Sequence, residues 1–118
     1  VDAGAEFAVT QPVFDTRQFE RFLEATASYR IPIVAGIWPL VSYKNAEFMN
    51  NELPGVTVPD EIMTRMRDAG SGDEAVREGI AVAVGVLRAL RPHIDGVQIS
   101  APFNRHQLAL DVMSGAGI

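Results

Sequence analysis

Three short apolar runs, each followed by residues with helical spacing, limit the fold more than any other feature. The second run, residues 31–37, is almost wholly apolar and ends at Trp38 and Pro39, which is typical of a buried parallel strand. Shorter runs at residues 6–11 and 97–100 predict two further strands. Because strand and helix alternate regularly, we expect parallel strands joined by right-handed crossovers, an α/β fold.

Helix-starting residues separate these runs. Asp15 predicts a helix that reaches about Tyr29, and Ser42 predicts a short helix that stops before residues 53–55. Residues 59–61 open another helix, and the longest one starts at residues 72–74. A last helix follows residues 102–105. The predicted buried stripe of the longest helix comprises Val76, Ile80, Ala83, Val84, Leu87 and Leu90.

Length limits how much of a known architecture the chain can form. A complete βα barrel needs roughly 250 residues, whereas this chain has 118, and three strands cannot close a barrel. No repeat or linker divides the chain, so residues 1–118 are expected to form one block of a larger fold.

Charge and composition exclude several classes of function. The net charge of −5 leaves no basic face for nucleic acid or anionic lipid, and no apolar stretch reaches the roughly 20 residues of a membrane span. The first residues lack the pattern of a secretion signal. Because cysteine is absent, disulfides and thiolate ligands are excluded within these residues, and we expect a cytoplasmic protein.

Candidate binding residues follow the strands, because ligands of parallel βα folds bind at the carboxyl ends of the strands. Gln11 offers amide donors and an acceptor that suit a planar heterocycle such as a pterin, although it could equally satisfy a neighbouring backbone group. Arg105 has a planar fork that matches carboxylate or phosphate, or it could pair with Asp111 on the surface. Asn104 is more typical of a helix cap than of a ligand contact.

Three larger side chains near the second strand have two interpretations each. Trp38 could form an aromatic wall beside a flat ligand, or it could pack between helices. Phe48 and Met49 could flank a ligand, or they could belong to the core.

Other common sites find no support in the sequence. His93 and His106 are 13 residues apart without a companion pair, so no metal site is predicted. Phosphate-loop glycine motifs and the serine elbow are absent. The acidic pairs at residues 60–61 and 73–74 are explained by the helix dipole.

Three segments together resemble the methylenetetrahydrofolate reductase family: residues 4–15 with Thr10-Gln11, residues 31–40 with Trp38-Pro39, and Asn104-Arg105. The resemblance covers nearly the whole chain and implies the last three βα units, the sixth to eighth, of a TIM (βα)8 barrel. It further implies a flavin-dependent oxidoreductase of one-carbon metabolism and methionine biosynthesis. Such an enzyme reduces 5,10-methylenetetrahydrofolate to 5-methyltetrahydrofolate with NAD(P)H and FAD.

The resemblance also assigns roles to residues. It implies that Gln11 contacts the pterin and that Arg105 contacts the folate through its glutamate carboxylate. Asn45 stands where some relatives carry a glutamine that touches nicotinamide or folate, and the shorter amide is a departure from that pattern. An aromatic residue a few positions further on stacks with the ligand in some relatives, and Phe48 or Met49 lies nearest. Residues 45–56 look most like the subgroup fused to a homocysteine S-methyltransferase domain.

Other parts of the family's machinery have no counterpart in these residues. The catalytic glutamate and most FAD contacts come from earlier strands, so the chain alone is expected to be inactive and to need the remainder of the barrel. We expect the parent protein to be a homo-oligomer. Two alternatives remain open at this point: another folate- or pterin-binding βα barrel, and a binding module without catalysis.

Overall fold

The computed structural model describes residues 3–118, and Val1 and Asp2 lie outside the described residues. Three strands, β1 (Ala8–Pro12), β2 (Ile33–Ile37) and β3 (Gly96–Ile99), form a parallel sheet in the order β1-β2-β3. Ala8 pairs with Ile33, and Ala35 pairs with Val97. The predicted α/β alternation of parallel strands is therefore confirmed.

Five helices connect and follow the strands: α1 (Thr16–Ala25), α2 (Tyr43–Glu52), α3 (Asp60–Ala69), α4 (Asp73–Leu90) and α5 (His106–Gly115). Two predicted caps are confirmed. The Asp15 carboxylate accepts a hydrogen bond from the Gln18 amide at 3.0 Å, and the Ser42 hydroxyl accepts one from the Asn45 amide at 3.0 Å. Each cap satisfies a backbone donor that has no partner inside its helix.

Some predicted boundaries were wrong by a few residues. Helix α1 ends at Ala25 rather than near Tyr29, because the backbone of Thr26, with φ −111° and ψ 16°, leaves the helical conformation, and a separate 3₁₀ turn spans Ala27–Tyr29. Strand β2 begins after Pro32, which cannot donate to the sheet. Strand β1 begins at Ala8 and includes Pro12, and β3 starts one residue before the predicted Val97.

The covered face of the sheet packs against the helices. We use this term for Ile33, Ala35 and Ile37, each no more than 4% exposed, together with Val97 and Ile99, which pack against the same core. Helix α4 lies close enough to the β2–α2 connection that a Cβ on Gly79 would stand 1.7 Å from the Leu40 carbonyl oxygen. Only glycine permits this approach.

The buried stripe of α4 differs in part from its prediction. Ala83, Leu87 and Leu90 are buried as predicted, whereas Val76, Ile80 and Val84 are half-buried at its margin. The stripe instead includes Ala75, Gly79, Val82 and Val86. The small residues Ala75 and Gly79 in the first two turns of α4 let the helix approach the sheet closely. The prediction relied mainly on larger apolar side chains, so it did not include this side of the helix.

The open face of the sheet has no such cover. We use this term for Val9, Val34 and Gln98, whose register neighbours place them on the side opposite the covered face. Val9 is 56% exposed and Gln98 is also exposed, while Phe7 and Phe22 are exposed beside β1. Within residues 3–118 the sheet thus has one packed face, one unpacked face and two free edges. Of the helices in this part of the chain, none combines the length and apolar character needed to cross a bilayer.

Candidate functional site

The carboxyl ends of the three strands lie at one edge of the sheet, which we call the rim. Its strands end at Pro12, Ile37 and Ile99. Strands β1 and β3 flank β2, so their rim positions lie about 10 Å apart, two strand spacings. Gln11 lies just before the end of β1, and the other four residues predicted to bind a ligand lie after the ends of β2 and β3.

Gln11 lies in an irregular part of β1. The register with β2 shifts between Val9 and Pro12, which marks a β-bulge. Inside the bulge the Thr10 hydroxyl accepts a hydrogen bond from the Gly36 amide at 2.9 Å and donates one to the Gln11 carbonyl at 2.8 Å. Thr10 therefore satisfies the backbone here, which was the alternative role considered for Gln11.

The carboxamide of Gln11 is left available by this arrangement. The side chain is exposed, and no hydrogen bond to it occurs within the described part of the chain. Its Oε1 lies 3.3 Å from the position that a Cβ would take on Gly55, whose φ of +81° favours glycine. Gln11 and Gly55 line a groove of about 420 Å³ at the edge of β1, with Asp15, Gln18 and Phe22 on its helix side.

Gly36 makes the bulge possible. A Cβ on this residue would lie 2.8 Å from the Thr10 carbonyl oxygen and 3.0 Å from that of Gln11. Both are backbone atoms, which cannot rotate away as a side chain could. The absence of a side chain on the middle strand thus sets the position of Gln11 on the neighbouring strand.

Asn45 lies in the first turns of α2 and is half-buried. Its Oδ1 accepts a hydrogen bond from the Trp38 indole nitrogen at 3.0 Å and another from the Val41 amide at 3.2 Å. Trp38 itself is half-buried and packs against the core. Packing was one of the two roles predicted for Trp38, and the structure shows it. Trp38 also makes a hydrogen bond to Asn45, which was not predicted from the sequence.

Phe48 and Met49 occupy opposite environments on α2. Phe48 is 53% exposed, whereas Met49 is 1% exposed and belongs to the hydrophobic core. For Met49 the structure therefore gives the packing role, because a ligand cannot reach a side chain enclosed on all sides. Phe48 is the member of the pair that remains accessible.

Arg105 follows a strained turn at the end of β3. Phe103 and Asn104 have φ values of 58° and 60°, which side chains other than glycine rarely adopt. Arg105 is exposed and occupies the N-cap position of α5, where no side-chain cap forms, so the expectation that Asn104 caps this helix was wrong. Asp111 binds Gln107 at 2.8 Å, and Arg105 has no ion pair within residues 3–118.

Two residues near these candidates were missed. Gln98 is paired with Gly36 and therefore lies level with the bulge that holds Gln11. The alternation of apolar and polar residues at 97–100 could have revealed it. Phe103 is 74% exposed at the rim, but no sequence pattern predicts a phenylalanine with positive φ. As for metals, the residues that the structure describes include no cluster of three or more potential ligands.

Comparisons with known proteins agree with one another. A family model described as "Methylenetetrahydrofolate reductase" matches residues 1–117. The chain is 31% identical over 103 residues to "Methylenetetrahydrofolate reductase 2" of Schizosaccharomyces pombe, covering 81% of this chain and 16% of that protein. It is 33% identical over 100 residues to "Methylenetetrahydrofolate reductase (NADH) 1" of Arabidopsis thaliana, covering 79% and 16%.

The name of a third relative contains NADPH, whereas that of the Arabidopsis protein contains NADH. "Probable methylenetetrahydrofolate reductase (NADPH)" of Caenorhabditis elegans is 30% identical over 79 residues, covering 65% of this chain and 12% of that protein. The chain thus spans about a sixth or less of the length of the curated relatives compared here.

Proposed function

The chain belongs to the methylenetetrahydrofolate reductase family, and from that premise we propose that it supplies part of the folate site of a reductase barrel. The parent protein would convert 5,10-methylenetetrahydrofolate to 5-methyltetrahydrofolate with NAD(P)H. Residues 1–118 would be the last three βα units of a (βα)8 barrel. The family match over residues 1–117 and the three parallel strands support this assignment.

The observation on which the proposal mainly rests is the free carboxamide of Gln11 at the rim. Thr10 satisfies the adjacent backbone, so the donors and acceptor of Gln11 are available to a ligand. A pterin ring has donors and acceptors along one edge, and a planar amide can pair with such an edge through two hydrogen bonds. Gln11 would therefore orient the pterin.

Arg105 would act at the other end of the same ligand. Arg105 follows β3, whose carboxyl end lies about 10 Å, two strand spacings, from that of β1. A guanidinium with no competing ion pair in the described residues suits the carboxylate of the folate's glutamate. Phe48, exposed on α2, would contact the planar part of the ligand between these two ends.

The described residues do not fit a flavin site. The groove beside Gln11 is open, its walls are mainly apolar, and the sequence has no glycine-rich phosphate-binding motif. FAD would carry the hydride in the parent protein and would be bound mostly by other segments, so this chain orients the folate and is inactive alone. The remainder of the barrel is its first partner, and a homo-oligomeric parent protein remains a prediction.

A spectroscopic experiment on the full-length protein containing this chain tests the proposal. Flavin absorbance would be followed under anaerobic conditions, first after NADH or NADPH and then after methylenetetrahydrofolate. We expect bleaching and then recovery. Gln11→Ala and Arg105→Ala should each slow the recovery by about tenfold or more at low folate, because each removes a hydrogen bond or ion pair to the ligand, and should change bleaching far less.

Two surface variants serve as controls. Arg17→Ala removes an exposed arginine from α1, and Gln107→Ala removes an exposed glutamine two residues from Arg105. Neither should alter recovery. If Gln11→Ala and Arg105→Ala behave like these controls, the assignment of the folate site is wrong. A parent protein that binds folate without a flavin would instead support a different pterin-binding barrel.

A further inference from the structure

Trp38 and Asn45 form a polar contact that the folate-site proposal does not use. The Trp38 indole Nε1 donates to Asn45 Oδ1 at 3.0 Å, and the Val41 amide donates to the same oxygen at 3.2 Å. The backbone amide of Asn45 is bound by the Ser42 hydroxyl at the start of α2. Asn45 is thus held at both its backbone and its side chain.

These partners determine which end of the carboxamide faces away from them. An indole N–H and a backbone N–H can only donate, so the atom between them must be the oxygen of Asn45. A rotation of the amide by 180° would place its NH₂ group against two donors. The NH₂ group of Asn45 must therefore point the other way, and within the described part of the chain no acceptor binds it.

We propose that Trp38 is a positioning residue that fixes Asn45 as a hydrogen-bond donor toward a carbonyl oxygen of the ligand. The proposal rests on the reductase function. No buried side-chain nitrogen of the described residues lacks a partner, so the unbound NH₂ group of Asn45 is accessible and a ligand can reach it. Both the pterin ring and the nicotinamide carboxamide have a carbonyl oxygen that would accept a hydrogen bond from it. Trp38 would thus act through Asn45 rather than as a wall that stacks on the ligand.

The position of Asn45 at the rim supports this role. It lies on the helix that follows β2, the strand between those that position Gln11 and Arg105. A freely rotating amide could offer either its oxygen or its NH₂ group to a ligand. The locked amide offers only the NH₂ group, which selects ligands with an acceptor at that point and disfavours ligands with a donor.

Variants of the full-length protein separate this role from simple packing. Trp38→Phe removes the indole donor and keeps an aromatic ring. Asn45→Asp keeps an oxygen for Trp38 and Val41 but replaces the NH₂ group by a second oxygen. Tyr43→Phe is the matched control, because Tyr43 is a half-buried aromatic residue at the start of the same helix whose hydroxyl takes part in no hydrogen bond within residues 3–118.

Each half-reaction of the flavin is measured across a range of ligand concentrations. We expect Trp38→Phe to raise the half-saturating concentration of one ligand by about fivefold, the worth of one ordinary hydrogen bond, with little change in the maximal rate. Asn45→Asp should raise it by about tenfold or more, because an oxygen would face an oxygen. A shift in bleaching assigns the carbonyl to nicotinamide, and a shift in recovery assigns it to folate.

A double-mutant comparison tests whether Trp38 acts through Asn45. In an Asn45→Ala background, Trp38→Phe should have no further effect on the half-saturating concentration. The inference is overturned if Trp38→Phe and Asn45→Asp match Tyr43→Phe, or if Trp38→Phe has the same effect in both backgrounds. A wild-type protein that shows neither half-reaction overturns the reductase function and this inference together, whereas an active wild type with unchanged variants overturns the inference alone.

Discussion

The two faces of the sheet differ in what they need from the rest of the protein. The covered face is closed by this chain's own helices, and its residues Ile33, Ala35 and Ile37 are at most 4% exposed. The open face shows Val9 at 56% exposure on β1 and the exposed polar side chain of Gln98 on β3. One face thus completes a core within this chain, while the other is not covered by the residues that the structure describes. The covered face is therefore expected to stabilise this segment by itself, whereas the open face would be completed only by the rest of the proposed barrel.

The largest effect is expected where α4 meets the covered face. Gly79→Val should lower the free energy of unfolding of the full-length protein by about 4 kcal/mol or more, above the usual cost of overpacking, because its Cβ would overlap the Leu40 carbonyl oxygen. Thermal unfolding followed by calorimetry or circular dichroism measures the change.

Gly85→Val is the matched control for this substitution. Gly85 lies in the same helix, but a Cβ there meets nothing within 4 Å. We expect a change of no more than about 0.5 kcal/mol, since valine and glycine differ little in helix propensity. Equal losses at both positions would show that α4 does not pack against Leu40 in the complete protein.

An intermediate effect compares the core against the covered face with the open face. Leu87 is fully buried in that core, so Leu87→Ala should lower the free energy of unfolding by about 3 kcal/mol, because the truncation leaves a cavity. Gln98→Ala on the open face should lower it by no more than about 1.5 kcal/mol, the worth of one hydrogen bond to the rest of the proposed barrel. Chemical denaturation of both variants measures the difference. A loss at Gln98 as large as that at Leu87 would mean that Gln98 contributes as much packing as a residue of the buried core.

The smallest effect concerns the strained turn at the rim. Asn104→Gly should raise the free energy of unfolding by about 0.5 kcal/mol, because glycine adopts a φ of 60° without steric cost. Asn51→Gly, an exposed position in α2, should do the opposite and lower it by about 0.3 kcal/mol. Thermal unfolding measures both changes. If both substitutions changed the free energy of unfolding in the same direction, the Asn104 backbone would not be strained.

The sequence predicted those parts of the fold that depend on local patterns. Asp15 and Ser42 cap helices as expected, since a cap depends on residues three positions away. The end of α1 was missed because the Thr26 backbone leaves the helical conformation, a change that apolar spacing does not record. The stripe of α4 was only partly predicted because Gly79 is buried through contact with the distant Leu40.

The candidate site shows the same division. Gln11 lies at the carboxyl end of β1, and Asn45 and Arg105 follow β2 and β3, so their place at the rim follows from the order of the elements. The hydrogen bond between Trp38 and Asn45 and the left-handed turn at Phe103 depend on three-dimensional geometry. No spacing of residue types predicts either. The unequal exposure of Phe48 and Met49 likewise depends on how α2 is rotated against the core.

The bulge in β1 also constrains how this segment can be transplanted or diversified. Gln11 is the residue that an engineer would copy into another barrel, but Gly36 on the next strand keeps the space that the Thr10 and Gln11 carbonyls occupy. The Thr10 hydroxyl closes that space with a hydrogen bond to the Gly36 amide. The unit to transplant is therefore Thr10, Gln11 and Gly36 together, drawn from two strands, and a library that varies position 36 alone would displace Gln11 without substituting it.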